Sequence, residues 1–304
     1  MPMPSPPDSW IPRLGRQRDW IWRGWQVRYT VLQSPQTADQ PPMLLIHGFG
    51  SSLTQWHCNL NALAEHRPVY ALDMLGFGSS RKADTAYNVD IWVAQLYDFW
   101  RSLIGCPVIL VGHSLGALVA IAATAQHPDM VQRLALLTVP ASRQELIPRW
   151  IQPIASSMER LFANPLIVRP IFELARRPSF IRAGLRLAYA QKQCVTDALI
   201  ESYVAPTRDP GAGQTLCRLS QASTRYDYAP NGDRLLGELM VPTLLLWGSD
   251  DKVIPITRGR QLAQQHPTIP LIEIPNAGHC AYEEQADRVN HELTQWAAEA
   301  SAFV

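Results

Sequence analysis

The residue in this 304-residue chain best placed to do chemistry is Ser114, in the run Gly112-His-Ser-Leu-Gly116. Apolar residues 107–111 before it predict a buried strand, and alanine-rich residues 117–124 after it predict a helix. A strand that becomes a helix so abruptly forces one residue into a left-handed backbone, and the residues two positions away must be nearly free of side chain. Such a turn lifts the Ser114 hydroxyl clear of the sheet, which suits a nucleophile. A glycine-rich turn with an incidental serine would give the same local pattern.

A serine hydroxyl needs a base to take its proton, and an imidazole base needs an acid on its other nitrogen. Reactive groups in an open α/β sheet collect at the carboxyl ends of the strands. Asp250 and Asp251 follow one apolar strand, and His279, alone among the eight histidines, lies in the loop after the last strand. These positions predict Ser114 as nucleophile, His279 as base and one of the two aspartates as acid. His113 is predicted to support the turn around the serine.

The segments that position these residues alternate between apolar strands and helices. Two strands are expected in a hairpin over residues 19–32, and further strands at 42–47, 69–73, 107–112, 133–139, 241–247 and 270–274. This alternation predicts an α/β fold with a mostly parallel eight-stranded sheet and helices on both faces. Residues 141–234 contain helical patterns and prolines but no core strand, which predicts a helical lid above the strands' carboxyl ends. The expected organisation is a flexible N-terminal arm over 1–17, a core over 18–140 and 235–304, and the lid between them.

Four motifs together resemble the α/β-hydrolase superfamily over nearly the whole chain from about residue 18. They are His47-Gly-Phe-Gly50, Gly112-His-Ser-Leu-Gly116, Trp247-Gly-Ser-Asp-Asp251 and Gly278-His279. The resemblance implies an α/β-hydrolase fold with a serine, acid and histidine in that chain order. The family pattern Gly-x-x-Asp-x-x-x-Pro fits Gly248 and Pro255 only if the acid is Asp251, so Asp251 is favoured over Asp250.

Attack on an ester carbonyl leaves a negative oxygen that needs donors already in place, each worth roughly 3 kcal/mol. The N–H of Leu115 is the first predicted donor. Phe49 is predicted to supply the second, because the loop after Gly48 faces the serine turn in this fold. Asp73 also ends a strand and is predicted to anchor its turn rather than react, and His57 is expected on a helix surface.

A further set of motifs looks like the cyanobacterial and chloroplast hydrolases that include chlorophyll dephytylases and pheophytinases. The set comprises Trp20-Ile-Trp-Arg-Gly-Trp25, His47-Gly-Phe-Gly50, Trp56-His-Cys-Asn59, Asp73-Met-Leu-Gly-Phe-Gly-Ser79 and Gly278-His-Cys280. The resemblance implies cleavage of the phytyl ester of chlorophyll or pheophytin. The widely spread cysteines predict a cytoplasmic protein, and peripheral contact with a membrane such as the thylakoid is a further hypothesis. In that group an asparagine often precedes the serine, where this chain has His113.

Charge, cysteine content and hydropathy disfavour several classes of partner, cofactor and location. A formal net charge of +1, without a basic cluster interleaved with aromatics, gives no sign of a nucleic-acid partner. The five cysteines are spread along the chain without a C-x-x-C pair, so neither a disulfide framework nor a zinc site is suggested, and no cofactor is expected. The first residues lack the features of a signal peptide, and no segment has the length of a bilayer-spanning helix. The expectation is a protein that is not secreted and does not cross a membrane.

The predicted lid is both cationic and apolar. It carries twelve arginines and one lysine against eight acids, about +5, and contains apolar runs at residues 150–154 and 161–172. Apolar and cationic character together suit contact with an anionic lipid surface and entry of a lipophilic substrate. Packing of these apolar residues on the core, with the arginines in solvent, would give the same composition.

The leading interpretation is therefore a serine-dependent hydrolase of a lipophilic ester. The same residues would serve a general carboxylesterase or lipase, a carbon–carbon bond hydrolase or a perhydrolase. A non-catalytic binding protein with the same fold is the alternative from a different class. Epoxide or haloalkane hydrolysis through an alkyl-enzyme is disfavoured, because that chemistry needs a carboxylate where Ser114 stands.

Overall fold

The computed structural model of the chain describes residues 11–33, 35–146 and 165–299. Eight strands form one sheet in the order β1-β2-β4-β3-β5-β6-β7-β8. They are β1 Gln17–Trp22, β2 Trp25–Leu32, β3 Met43–Ile46, β4 Val69–Leu72, β5 Val108–His113, β6 Val131–Leu137, β7 Thr243–Gly248 and β8 Leu271–Ile274. β2 pairs antiparallel with β1 and β4, and all other neighbours are parallel. The predicted eight-stranded, mostly parallel sheet is confirmed.

Helices cover both faces of the sheet, as predicted. In the described residues they are α1 Ile11–Leu14, α2 Leu60–Ala64, α3 Val89–Leu103, α4 Leu115–Gln126, α5 Arg143–Leu146, α6 Pro165–Ala175, α7 Pro178–Ala188, α8 Asp197–Val204, α9 Ala212–Ser223, α10 Gly232–Glu238, α11 Ile256–Gln265, α12 Ala281–Glu284 and α13 Ala286–Ala298. Short 3₁₀ helices span Pro35–Thr37, Leu53–Trp56, Pro128–Met130, Lys192–Cys194 and Ala205–Arg208.

Two hydrophobic cores lie on opposite faces of the sheet because successive strand residues point to opposite sides. In β5, Leu110 belongs to the core that α3 and α4 cover. Its neighbours Ile109 and Val111 belong to the other core, with residues of α2 and α13. All three side chains are at most 1% exposed, so the central strands are buried on both faces. The carboxyl ends of these strands are thereby held in fixed positions.

The structure differs from the sequence prediction at the start of the chain. The predicted arm over residues 1–17 is wrong for its final residues. There α1 forms and β1 begins at Gln17. Leu14 is fully buried, and its carbonyl accepts a 2.6 Å hydrogen bond from the Thr30 hydroxyl. Residues 1–10 lie outside the described part of the chain.

Two predicted helices are interrupted. Apolar spacing in the sequence predicts one helix over residues 52–65 and a closing helix over about 283–300. The structure has a 3₁₀ turn at Leu53–Trp56 followed by α2 in the first place, and α12 and α13 in the second. Between β6 and β7 the described residues contain helices and no strand, as expected, but residues 147–164, which include the predicted apolar run at 150–154, lie outside them. Among the residues described, no helix is long and apolar enough to cross a bilayer.

Candidate active site

Ser114 lies at the junction of β5 and α4 in a strained backbone conformation, with φ 53° and ψ −117°. A Cβ on Gly112 would lie 2.4 Å from the Gly116 carbonyl oxygen, and one on Gly116 would lie 2.5 Å from the Ile46 oxygen. Both distances are far below van der Waals contact, so each position requires glycine. The sharp turn predicted around Ser114 is present, held by the close approach of α4 to β5 and β3.

The loop after β3 abuts this turn. A Cβ on Gly48 would lie 3.4 Å from the Ser114 Cβ, so the backbone of the loop faces the serine as predicted. Leu115 is the first residue of α4, and its N–H therefore has no acceptor within the helix. The Phe49 side chain is 54% exposed and its ring lies 5.4 Å from that of Phe77, at the mouth of the site.

His47, which the sequence marks only as part of a motif, fixes the orientation of that loop. Its Nε2 accepts a 3.0 Å hydrogen bond from the Met74 N–H, so the proton is on Nδ1, which donates to the Gly48 carbonyl at 2.7 Å. Burial lowers the pKa of His47 to about 4, which keeps the ring neutral at pH 7. Because a trans peptide directs its C=O and N–H to opposite sides, this bond turns the Phe49 N–H away from His47.

The Gln55 side chain supports the same loop from the other end. Its Oε1 accepts a 3.1 Å hydrogen bond from the Gly48 N–H, and the residue is only 2% exposed. Neither His47 nor Gln55 could be assigned this role from spacing, because both act on backbone atoms that only the folded chain brings near.

Asp251 contacts the imidazole of His279, and Asp250 does not. The Asp251 Oδ2 lies 2.9 Å from His279 Nδ1, with the carboxylate side chain 0% exposed. Its Oδ1 accepts hydrogen bonds from the Val253 and Ile254 N–H groups at 2.8 and 2.9 Å. Asp250 is exposed to solvent. Of the two aspartates that the sequence offers, the structure thus brings Asp251 to the imidazole and leaves Asp250 in solvent.

The loop that carries His279 is packed tightly against its surroundings. A Cβ on Gly248, at the end of β7, would lie 2.1 Å from the Gly278 carbonyl oxygen. The His279 N–H donates to the Ala188 carbonyl at the end of α7, at 2.8 Å. The loops that carry Asp251 and His279 are therefore in direct contact, and the second is hydrogen-bonded to the end of α7.

His113, which is predicted to support the serine turn, contacts the loop that carries His279. The ring is buried, and its Nε2–H donates to the His279 carbonyl at 3.0 Å. Burial and the neighbouring His279 hold the pKa of His113 well below its usual range, so the ring is neutral. It therefore links the residue before Ser114 to the backbone of the imidazole loop.

Two further residues named from the sequence have defined surroundings. Asp73 anchors its turn as predicted, since its oxygens accept 2.6 Å hydrogen bonds from the Leu53 and Ser79 N–H groups. The expectation of a surface position for His57 is wrong: its side chain is 10% exposed and lies 3.2 Å from Glu283. Burial opposes protonation of His57, but Cys58 and Glu283 outweigh burial and raise its pKa to about 9.

A pocket with about 480 Å³ of empty space, part of it open to solvent, lies beside the Phe49 loop. Its lining is mostly apolar and comes from both the sheet side and the helices between β6 and β7: Phe49, Phe77, Phe172, Tyr203, Leu216 and Leu219. Ser114 and His279 are not among the described residues that line it, and Phe49 and Gly50 connect it to the loop that faces the serine turn. Such a cavity can hold an apolar chain beside the Phe49 loop. No cluster of three metal-binding side chains occurs among the described residues.

Comparisons with known proteins agree with this architecture. The family model described as alpha/beta hydrolase fold matches residues 41–286. The human (lyso)-N-acylphosphatidylethanolamine lipase is 30% identical over 282 residues, covering 84% of this chain and 79% of that protein. The 2-hydroxymuconate semialdehyde hydrolase of Pseudomonas sp. (strain CF600) is 28% identical over 269 residues, covering 86% and 88%.

Solved structures show the same fold at lower identity. A meta-cleavage product hydrolase, CumD, superimposes with a TM-score of 0.75 at 22% identity, over 95% of this chain and 100% of that one. The sheet order, the strained serine turn and the match of the family model over most of the sequence lead to one conclusion: this chain belongs to the alpha/beta hydrolase fold family.

Proposed function

We propose that the protein is a serine hydrolase that cleaves the carboxylic ester of a lipophilic substrate. Ser114 is the nucleophile, His279 the general base and acid, and Asp251 the residue that orients and stabilises the imidazole. The observation that carries the proposal is the 2.9 Å contact between His279 Nδ1 and the buried carboxylate of Asp251, together with the strained turn at Ser114.

The reaction follows from these roles. The Ser114 Oγ attacks the carbonyl carbon while His279 Nε2 takes the hydroxyl proton, and the His279 Nδ1–H remains bonded to Asp251. The negative oxygen of the tetrahedral intermediate accepts hydrogen bonds from the N–H groups of Phe49 and Leu115. His279 then gives its proton to the departing alcohol, and a water activated by the same imidazole releases the acid from Ser114.

Two observations support a lipophilic ester. The cavity beside Phe49 is lined largely by aromatic and aliphatic side chains, which favours an apolar chain over a charged group. One of the relatives is named as a lipase. Within this class we propose the phytyl ester of chlorophyll or pheophytin as the first substrate to test, on the strength of the motif resemblance alone. Peripheral contact with a thylakoid membrane stays a prediction.

Hydrolysis of a carbon–carbon bond is the second candidate, because a relative of similar coverage is named 2-hydroxymuconate semialdehyde hydrolase. The same triad could serve that chemistry. The largely apolar cavity favours the ester.

Labelling with a fluorophosphonate probe, combined with a substrate panel, tests the proposal. The protein should label at Ser114 and should release phytol from chlorophyll or pheophytin, or the acid from long-chain nitrophenyl esters. Ser114→Ala and His279→Ala should lower ester turnover by about three to six orders of magnitude while the fold survives. Near-normal activity of either variant would overturn the assignment. Labelling together with turnover of a carbon–carbon substrate alone would favour the second candidate, and absence of labelling would favour a binding protein.

A further inference from the structure

The helix pair α6–α7 presents an apolar outer face. Ile171 and Leu174 of α6 are 54% and 48% exposed, and Phe180 and Leu187 of α7 are 51% and 60% exposed. Four large apolar side chains are thus exposed on two consecutive helices, more than the scattered single residues that are normal on a protein surface. The name outer face is used below for these four residues.

In α7 the exposed apolar residues follow the helical repeat. Phe180 and Leu187 lie seven positions apart, with exposed Ala183 and Gly184 between them on the same side. Leu185 is buried in the core that α2 and α13 share, so α7 already has a packed inner face. The outer stripe is therefore a second apolar face on a helix that needs only one for folding.

Arginines surround this face. Residues 165–190 contain five arginines and a single acid, Glu173. Arg177 at the start of α7 and Arg186 near its end are exposed. Arg182 pairs with Asp197 at 2.5 Å, an exposed contact that solvent screens. Cationic side chains beside exposed aromatic and aliphatic residues complement the surface of an anionic bilayer, where the headgroups meet the arginines and the acyl region meets the apolar stripe.

The inner side of the same helices borders the reactive centre. Phe172, adjacent to Ile171, lines the cavity beside Phe49. The Ala188 carbonyl at the end of α7 accepts the 2.8 Å hydrogen bond from the His279 N–H. A surface that touched the outer face would thus lie one helix thickness away from the cavity and from the imidazole loop.

We propose that the outer face of α6–α7 docks on the surface of an anionic lipid bilayer, so that an ester dissolved in the membrane enters the cavity without passing through water. This inference extends the proposed function, which supplies the lipophilic substrate, but the docking itself does not require an active serine.

Flotation with vesicles tests the docking. We would use full-length Ser114→Ala protein, so that binding is measured without turnover, with vesicles of equal phosphatidylglycerol and phosphatidylcholine at low salt. The protein should float with these vesicles and should be released at high salt, because screening weakens its attraction to the anionic lipid. Phe180→Glu/Leu187→Glu should reduce the bound fraction at least tenfold. Ile21→Glu/Met240→Glu, which adds the same charge at exposed apolar residues elsewhere, should bind like the parent.

Thermal unfolding of each variant confirms that it folds. The same double substitutions are also made in protein that retains Ser114, and hydrolysis of a short, water-soluble ester by these variants separates docking from catalysis. Unchanged short-ester rates with lost vesicle binding support the proposal. It is overturned if the parent stays with the unbound fraction at low salt, or if the two double variants bind equally well. It is also overturned if the outer face instead joins two copies, seen as a dimer that Phe180→Glu/Leu187→Glu abolishes without any vesicle binding. Vesicle binding by a protein with no esterase activity would refute the proposed function and leave the docking intact.

Discussion

Asp250 and Asp251 are consecutive carboxylates in opposite environments. Asp250 faces solvent, whereas Asp251 is enclosed by two backbone N–H groups, the Thr138 hydroxyl and the His279 ring. From the sequence alone either aspartate could be the acid, because both follow the end of a strand. The turn after Gly248 determines which way each side chain points. Residue spacing favoured Asp251 only through a family pattern.

We expect Asp251→Asn to lower ester turnover by about 10⁴-fold, because the amide no longer holds the imidazole in the required tautomer or stabilises its charge. Steady-state kinetics at a fixed pH measures this. Asp250→Asn is the matched control and should change turnover less than about threefold, since its carboxylate is exposed. Equal losses in both variants would contradict the assignment of the acid.

The strained backbone of Ser114 should lower the stability of the fold. Its φ of 53° is a conformation that glycine adopts freely and other residues adopt at a cost. Ser114→Gly should therefore be more stable to urea than Ser114→Ala by about 1 kcal/mol, although both are inactive. A Ser114→Gly protein no more stable than Ser114→Ala would show that the turn is not strained at this residue.

His47 should make stability depend on pH. Burial lowers its pKa to about 4, while the unfolded chain titrates near 6.5. Between these values the unfolded state binds a proton that the folded state excludes, so stability is lost as pH falls from about 6.5 to 4, by about 3 kcal/mol. Urea unfolding across this range should show a smaller loss in His47→Gln than in the parent. Parallel stability curves would contradict a neutral, buried His47.

The positions of Ser114 and His279 at strand ends could be predicted, because each depends on a residue type next to an apolar strand. His47, Gln55 and His113 could not, since their hydrogen bonds go to the backbone of Gly48 and His279. Any donor or acceptor of suitable reach could fill such a position, and sequence spacing does not encode that reach.

At the level of elements, the parallel strands were predictable and the short helices were not. Strands β3 to β8 are nearly continuous apolar runs because both faces of the sheet are covered. The spacing of Leu53, Trp56 and Leu60 predicts one helix over residues 52–65, but the structure divides it. Its first part is a 3₁₀ turn, in which the His57 and Asn59 N–H groups donate to the Thr54 and Trp56 carbonyls three residues earlier, at 3.1 and 2.8 Å.

Packing between the β8 loop and α7 gives a prediction on two glycines. A Cβ on Gly278 would lie 2.3 Å from the Ala188 carbonyl oxygen, whereas one on Gly184 in α7 would meet nothing within 4 Å. Gly278→Ala should cost about 1–3 kcal/mol of stability and reduce turnover through displacement of His279. Gly184→Ala should instead stabilise by about 0.5–1 kcal/mol through helix propensity. Urea unfolding measures both. A harmless Gly278→Ala would contradict the tight joint between α7 and the imidazole loop.

At the scale of the whole molecule, a buried ion pair joins the sheet side to the helices between β6 and β7. The Lys82 ammonium lies 3.1 Å from Asp209, and the two side chains are 5% and 7% exposed. Lys82 also donates to the Gly78 and Ser80 carbonyls at 2.5 and 3.0 Å. The pair therefore fixes this rim of the cavity, and no sequence pattern indicated that these two residues meet across 127 positions.

Removal of one charge of the Lys82–Asp209 pair should lower the free energy of unfolding more than removal of both charges. Asp209→Asn should lower the free energy of unfolding by about 3 kcal/mol, because it leaves a buried ammonium unpaired. Lys82→Met/Asp209→Leu should recover part of that loss in a urea-unfolding double-mutant cycle. The control is Asp227→Asn in the Arg225–Asp227 pair, where side chains are 63% and 64% exposed, with an expected effect below about 0.5 kcal/mol. Additive single losses would contradict the coupling.

The Glu145 carboxylate closes the base of the long excursion between the neighbouring strands β6 and β7. One oxygen accepts the N–H groups of Ser142 and Gly232 at 3.1 and 3.0 Å, and the other pairs with Arg258. Because the two stems are tied at one point, changes in the length of the excursion add little entropic cost to the rest of the chain. Segments from related hydrolases could therefore be transplanted between these stems to alter substrate selectivity. Ser114, Asp251 and His279 would keep their positions, because all three lie outside the exchanged segment.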